Sequence, residues 1–331
     1  MSWDGNRLDD VRDRVEGTVL GAAVGDALGA PWEFGPPLRP EQPLGMTGGG
    51  TFGWAPGEWT DDTSMAVPIL RELADGADLA DEPALGRIAR SWAEWARSAP
   101  DVGVQTREVL HRARLAATGG WADELTADHA RRAAATVHDS HGRSAGNGSL
   151  MRTSPIALAY LDRPDEELAA AAVRVSELTH FDPRTGQACA LWSVAIKHAV
   201  LTGTIDLQPG LAVLETRAAE FWRDRIGEAH GAQPADFDRN GWVVQALQAA
   251  WSAIAGTPPG GPVPLVLGLE RAVRGGRDSD TVAAITGGLL GAAYGRSAIP
   301  AAWLDPLHGW PGLTGDDLAR LARDASRLPS S

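Results

Sequence analysis

The chain has 331 residues, 44% of them hydrophobic, enough to bury a sizeable core in one large domain or two. Its 30 basic and 43 acidic residues leave a formal net charge of −13, which disfavours long-range attraction to nucleic acid or to an anionic membrane. The single cysteine, Cys189, excludes a disulfide framework within the chain and suits a reducing compartment.

Residues 1–10 carry three Asp and one Arg and lack the basic start and long apolar stretch of a signal peptide. No apolar run reaches the ~18–20 residues that span a bilayer, so the expected location is the cytoplasm. Helical periodicity dominates from there on. Residues 11–28 read as one helix, with Val11, Val15, Val19 and Ala22 at three- and four-residue spacing. Gly17, Gly21, Gly25 and Gly29 recur every four residues on it, a smooth stripe that lets another backbone approach closely. Residues 35–59 are rich in Gly and Pro and exceed the usual loop length, which points to a lid over an active site.

Further helices are predicted over residues 85–97, 105–117, 126–137, 165–178 and 185–201, then over 211–226, 243–255, 264–273, 281–294 and 316–323. Asp165 after Pro164 marks a helix start, and the breaker-rich residues 256–264 read as a connection. Cys189 falls in an apolar helical stretch and reads as a buried structural thiol more than as a nucleophile. Alternating strand patterns are missing almost everywhere, so the fold expected is all-α and the domain a single one covering residues 1–331.

Four segments carry chemistry. In Trp59-Thr60-Asp61-Asp62-Thr63, two adjacent carboxylates and two hydroxyls precede an apolar helical segment expected to begin near Met65. An N-cap would explain one Asp but not both, and Pro68 implies a late start or a bend. Asp278-Ser279-Asp280-Thr281 repeats the pattern before the helix at 282–294; on an extended backbone its two Asp would point to one side. Four carboxylates brought together would repel one another and have raised pKa values unless cations neutralised them. All the candidate ligands are hard oxygens, which selects Mg²⁺ or Mn²⁺ over zinc, and paired ions about 3.5–4 Å apart are a standard arrangement for hydrolysis. Gly146-Asn147-Gly148-Ser149-Leu150-Met151-Arg152 offers tight turns whose backbone N–H groups can cradle an anion, or simply a turn before a helix. Thr179-His180-Phe181-Asp182-Pro183 closes one helix and opens another, a place where a lone His is more often structural.

Taken together, these motifs resemble the ADP-ribosylglycohydrolase family, which includes dinitrogenase reductase-activating glycohydrolase and the vertebrate ADP-ribosylhydrolases. The resemblance rests on Gly21-Ala22-Ala23-Val24-Gly25-Asp26-Ala27-Leu28-Gly29 followed by Glu33, on Thr60 to Thr63, on Gly146 to Arg152, on Thr179-His180, and on Asp278 to Thr281 followed by Gly287-Gly288. It spans about residues 16–295, leaving a C-terminal helical extension to 331. It implies a compact orthogonal helical bundle with a central cleft holding two Mg²⁺ per chain, Mn²⁺ being an alternative. By motif, Thr60, Asp61, Asp62, Asp278, Asp280 and Thr281 would ligate the metals, and Glu33 and Asp62 would serve catalysis. Gly146, Asn147, Gly148, Ser149 and Met151 would line the ADP-ribose site with His180, and Gly103 would join them through the similarity of Asp101-Val102-Gly103 to a shorter family element. Residues 201–261 depart most from the family and are where substrate preference would be tuned.

The implied reaction is hydrolysis at the ribose anomeric carbon, with ADP-ribose as product and an ADP-ribosylated protein side chain as the first candidate substrate. A small ADP-ribose ester, a nucleic-acid or small-molecule adduct, and a non-catalytic ADP-ribose-binding role are the alternatives. No membrane partner is expected, and nucleic acid only as a modified substrate.

Overall fold

The computed structural model describes residues 5–117, 124–257 and 264–329. Its centre is a pair of helices, α1 (Gly5–Gly29) and α12 (Ser279–Tyr294). The glycine stripe explains why these two meet. A Cβ at Gly17, Gly21 or Gly25 would collide with the carbonyl oxygens of Gly291, Gly287 and Ala283 in turn, and one at Gly29 with the backbone of Asp280. Positions rising along α1 thus meet positions falling along α12, so the helices are antiparallel with their backbones in contact. Only residues without a side chain permit that distance. The consequence is functional: the end of α1, bearing Asp26, lies against the start of α12, bearing Asp280.

The remaining helices wrap this pair. They are α2 (Asp61–Ala74), α3 (Glu82–Trp95), α4 (Val104–Ala116), α5 (Ala127–His141), α6 (Asp165–Glu177) and α7 (Pro183–Thr202). Then come α8 (Gln208–Ala212), α9 (Thr216–Ala229), α10 (Val243–Ala255), α11 (Pro264–Arg274), the short α13 (Ala301–Leu304) and α14 (Gly315–Ser326). Helices α2, α7, α10 and α11 pack on α12, while α14 closes over α1 and α2. Among the described residues the sheet content is one two-stranded hairpin, β1 (His308–Gly309) with β2 (Leu313–Thr314). The all-α expectation holds. No helix among the described residues is long and apolar enough to cross a membrane.

Several boundaries differ from the periodicity by a few residues, among them those of α1, α2 and the α8–α9 pair. Helix α1 is already helical at Gly5, the first described residue, ahead of the apolar stripe that starts at Val11. The helix predicted over 211–226 is two helices: Gly210 presses on the Leu191 carbonyl of α7, fixing α8 there, and the chain turns at residues 213–215 before α9. Helix α2 begins at Asp61, ahead of Met65, and runs through Pro68. Of the predicted connection at 256–264, residues 258–263 lie outside the described residues.

The long segment at 35–59 is tied down at both ends. Arg274 Nη1 and Nη2 donate to the carbonyls of Arg39 and Gln42 at 2.7 and 2.9 Å, and Trp59 N–H donates to the His308 carbonyl at 3.0 Å. Cys189 is buried on α7 with its thiol against Ser149 Oγ, and burial pushes the thiol pKa up, as befits a structural residue.

Candidate active site

Two helix starts and the end of α1 converge on one buried acidic cluster. The first turn of α2 is closed from outside its own sequence. Asp26 Oδ1 accepts the Thr60 N–H at 2.9 Å, and Asp26 Oδ2 accepts the Thr63 N–H at 2.9 Å and the Thr63 hydroxyl at 2.6 Å. These N–H groups are the ones a helix leaves orphaned at its N-terminus. With a carboxylate of α1 satisfying them, α2 starts four residues earlier than the apolar pattern implied, and Thr60, Asp61 and Asp62 are released from capping. Thr60, at the N-cap, makes no side-chain capping bond, and neither does Asp278 at the start of α12. The two Asp of the second motif are not on an extended strand: Asp278 stands at the N-cap position and Asp280 sits in the first helical turn.

The released side chains face one another. Oxygens of Asp26, Asp62 and Asp280 lie within 4.8 Å of one another, as do oxygens of Glu33, Asp278 and Asp280, so the two triads share Asp280. Thr60 Oγ1 stands 3.4 Å from Asp61 Oδ1, Asp62 Oδ2 and Asp280 Oδ2, and Thr281 Oγ1 stands 3.4 Å from Asp62 Oδ2. A hydroxyl bonded directly to a carboxylate would sit at about 2.7–2.8 Å; these oxygens surround a gap instead. Asp62 Oδ1, Asp280 Oδ1 and Glu33 Oε2 are buried and have no partner in the protein. Buried carboxylate oxygens normally have one. A hard cation among these oxygens would supply it, so the residues fit the divalent ions that the motifs imply. Asp26 belongs to the first triad by distance, but its oxygens already accept three hydrogen bonds, so it positions the cluster.

The electrostatics agree. Burial first, then the neighbouring carboxylates, raises Asp61, Asp62 and Asp280 well above the usual range, while Asp278 is raised by burial and partly relieved by Asn147. Glu33 is pushed up to about 9 by burial and by Asp101, Asp278 and Asp61. Its position is set by the backbone: Phe34 N–H donates to the Arg277 carbonyl at 2.6 Å and Arg277 N–H to the Gly35 carbonyl at 2.7 Å. Phe34 and Arg277 both hold positive φ, 63° and 61°, which is unfavourable for residues with side chains. Two such residues, one after Glu33 and one before Asp278, bring those carboxylates together.

The glycine loop lies at the Asp278 end of the cluster. Asn147 Nδ2 donates to Asp278 Oδ2 at 2.7 Å and to the Asn240 carbonyl at 2.9 Å. A Cβ on Gly146 or Gly148 would press on the His180 ring at 3.3 and 3.0 Å, so His180 packs against the loop. His180 Nδ1 pairs with Thr179 Oγ1 at 2.7 Å, which Arg152 Nη2 also contacts at 2.7 Å, and burial followed by Arg152 lowers the His180 pKa well below its usual value. The imidazole is neutral. Ser149 is buried against Cys189, and Met151 Sδ accepts from Thr281 Oγ1 at 3.9 Å.

Gly103 is the outlier among the sequence candidates. It is exposed at the start of α4 and approaches the loop only through Thr106. Two residues earlier, Asp101 is the one whose charge reaches Glu33 and Asp61; burial and Asp278 push its own pKa up to about 6. Sequence reasoning also passed over Asn240, which bonds Asn147, the Gly276 carbonyl and the Asp278 N–H, and Trp242, which bridges Gly146. Both lie within residues 201–261, outside every motif that carried the resemblance. Asp26 did carry a signal, as the one charged residue between Gly17 and Gly29 in an otherwise apolar and small stretch.

A family model described as ADP-ribosylglycohydrolase matches residues 7–330. The chain belongs to the ADP-ribosylglycohydrolase family. It is 32% identical to the ADP-ribosyl-[dinitrogen reductase] glycohydrolase of Rhodospirillum rubrum, covering 90% of this chain and 91% of that protein. It is 27% identical to the ADP-ribosylarginine hydrolase Tri1 of Serratia proteamaculans (strain 568), covering 89% of this chain and 75% of that protein. Among solved structures, an ADP-ribosylglycohydrolase-related protein complex superposes with a TM-score of 0.72 at 30% identity, covering 96% of this chain and 99% of that one.

Proposed function

We propose that this ADP-ribosylglycohydrolase cleaves the bond between the ribose anomeric carbon and a modified side-chain nitrogen of a protein, arginine before others, releasing free ADP-ribose. The observation that carries the proposal is the pair of carboxylate triads sharing Asp280, with three buried oxygens lacking partners, set against the Asn147 end of a glycine loop. Arginine is favoured because the related Tri1 proteins are named ADP-ribosylarginine hydrolases.

Thr60, Asp61, Asp62, Asp278, Asp280 and Thr281 would hold two Mg²⁺, or Mn²⁺, per chain. Bound there, the ions would neutralise the cluster and act as Lewis acids toward the ribose hydroxyls and water. Gly146, Asn147, Gly148, Ser149 and Met151 would line the ADP-ribose site, with the His180 ring fixing the shape of the loop. The C1′–N bond breaks as positive charge builds on the sugar, water oxygen bonds to C1′, and Glu33 transfers the proton from that water to the departing nitrogen.

The test is release of ADP-ribose from a panel of defined arginine, serine, nucleic-acid and acetyl-ester adducts, with and without exhaustive chelation. Metal-dependent release from the arginine adduct is expected. Release that survives chelation with no Mg or Mn in the protein would remove the metal assignment, and ADP-ribose binding without release from any adduct would leave a binding protein.

A further inference from the structure

A cavity of about 300 Å³ borders the acidic cluster at Thr60 and Asp61. Trp54, Trp95 and Trp310 give it aromatic walls, and Glu58, Asp61 and Asp101 give it carboxylates. No Lys, Arg or His lines it among the described residues, and no residue of the loop at 146–151 does. Asp61 belongs both to the proposed metal-binding set and to this cavity, so a group in the cavity is next to the reacting bond.

The walls come from parts of the chain far apart in sequence and locked together. Trp54 and Glu58 lie in the 35–59 segment, Trp95 ends α3, and Trp310 lies between β1 and β2. Glu58 bridges His308, and the Trp59 indole N–H donates to the Trp310 carbonyl at 3.2 Å. Glu58 Oε2 accepts the Ala55 N–H at 2.8 Å, which fixes that side chain at the wall. Trp54 stacks at a tilt on Phe52, 6.0 Å between centroids, and Phe52 meets the exposed Phe34 edge-on at 6.3 Å, so the aromatic surface continues outward beside Glu33.

We infer that this cavity is the leaving-group pocket and selects a planar cation, the guanidinium of the modified arginine, with Trp54, Trp310 and Glu58 as specificity-determining residues. Aromatic faces attract a guanidinium through the ring quadrupole and by stacking, and carboxylates take its forked donors. A serine leaving group offers neither charge nor plane, an ester's carboxylate is planar but offers neither positive charge nor donors, and each leaves the Glu58 carboxylate unmatched. ADP-ribose would lie on the glycine-loop side and the arginine side chain in the cavity, with the bond to be broken over the cluster between them. This rests on the proposed hydrolysis of an ADP-ribosylated arginine.

The experiment uses the metal-loaded full chain and three variants, Trp54→Ala, Glu58→Gln and Trp310→Ala. Three quantities are measured for each: kcat/KM on an ADP-ribosylarginine peptide, inhibition of that reaction by agmatine, and ADP-ribose affinity by calorimetry. Loss of a hydrogen bond to a charged group implies about a 10- to 100-fold fall in kcat/KM for Glu58→Gln, carried mainly by KM, with agmatine inhibition weakened in step and ADP-ribose affinity unchanged. Glu58→Gln keeps an oxygen for the Ala55 N–H, so it separates recognition from folding where a tryptophan variant is unstable. Wild-type KM and agmatine inhibition in the variants would overturn the pocket while leaving the hydrolase reading intact. A wild-type enzyme that cleaves the serine adduct and not the arginine one would overturn both.

Discussion

Two kinds of helix start stand side by side in this protein. At the starts of α5 and α14, Thr126 with His129 and Thr314 with Asp317 form reciprocal capping boxes, each side chain bonding the other's backbone N–H. Asp317 is held down to about 2 by those bonds and by Arg320. At the starts of α2 and α12 the residue types are similar, Thr and Asp, yet neither N-cap side chain makes a capping bond. There the carboxylates are raised, not lowered, and two of their oxygens, Asp62 Oδ1 and Asp280 Oδ1, go unpartnered. The same residues stabilise the fold where they bond to the backbone and store electrostatic repulsion where a neighbouring helix does the capping for them. That repulsion is what a bound cation would relieve.

The comparison can be broken most directly at the cluster. Asp62→Ala and Asp280→Ala should each abolish turnover while far-UV circular dichroism stays native and the metal-free melting temperature does not fall, since each removes a repelled charge. A clear loss of metal-free stability would make these residues caps after all. Glu33→Gln should retain ADP-ribose binding in calorimetry and lose about 10²–10⁴-fold in rate; loss of binding together with rate would make Glu33 a structural or metal-holding residue.

The pH dependence sharpens the contrast. Carboxyls whose folded pKa is raised contribute stability that is fully present below the ordinary carboxyl range and is lost as pH rises, through about 6 for Asp101 and about 9 for Glu33. The metal-free protein should therefore melt at progressively lower temperature between pH 5 and 9, and saturating Mg²⁺ should flatten the trend; a metal-free melting curve indifferent to pH would contradict it. The smallest effect belongs to the ordinary helix start. Thr314→Ala should cost about 1 kcal/mol in denaturant unfolding with the rate of ADP-ribose release unchanged.

Much of the fold was legible because apolar spacing reports which face of a helix is buried, and most helices lie where that spacing puts them. The glycine stripe announced a close backbone contact, though not its partner: nothing in residues 11–28 names α12. The candidate site was legible as far as its residue types were unusual. Paired Asp beside Thr, twice, exceeds what a cap requires. Asp101 was marked only through the short motif that pointed to Gly103, and Asn240 and Trp242 carry no mark, because each is an ordinary residue until the chain folds it against Asn147 or Gly146.

By itself, then, the sequence determined an all-α chain with two acidic helix starts, a glycine loop and a histidine after α6, since these are properties of local composition and period. The tertiary structure alone decided that Asp26 caps α2 from α1, that Phe34 and Arg277 hold positive φ to join Glu33 to Asp278, and that Trp54, Trp95 and Trp310 enclose one cavity. Those outcomes depend on contacts between residues up to about 250 positions apart, and such contacts are set by how the helices pack, which no local pattern encodes.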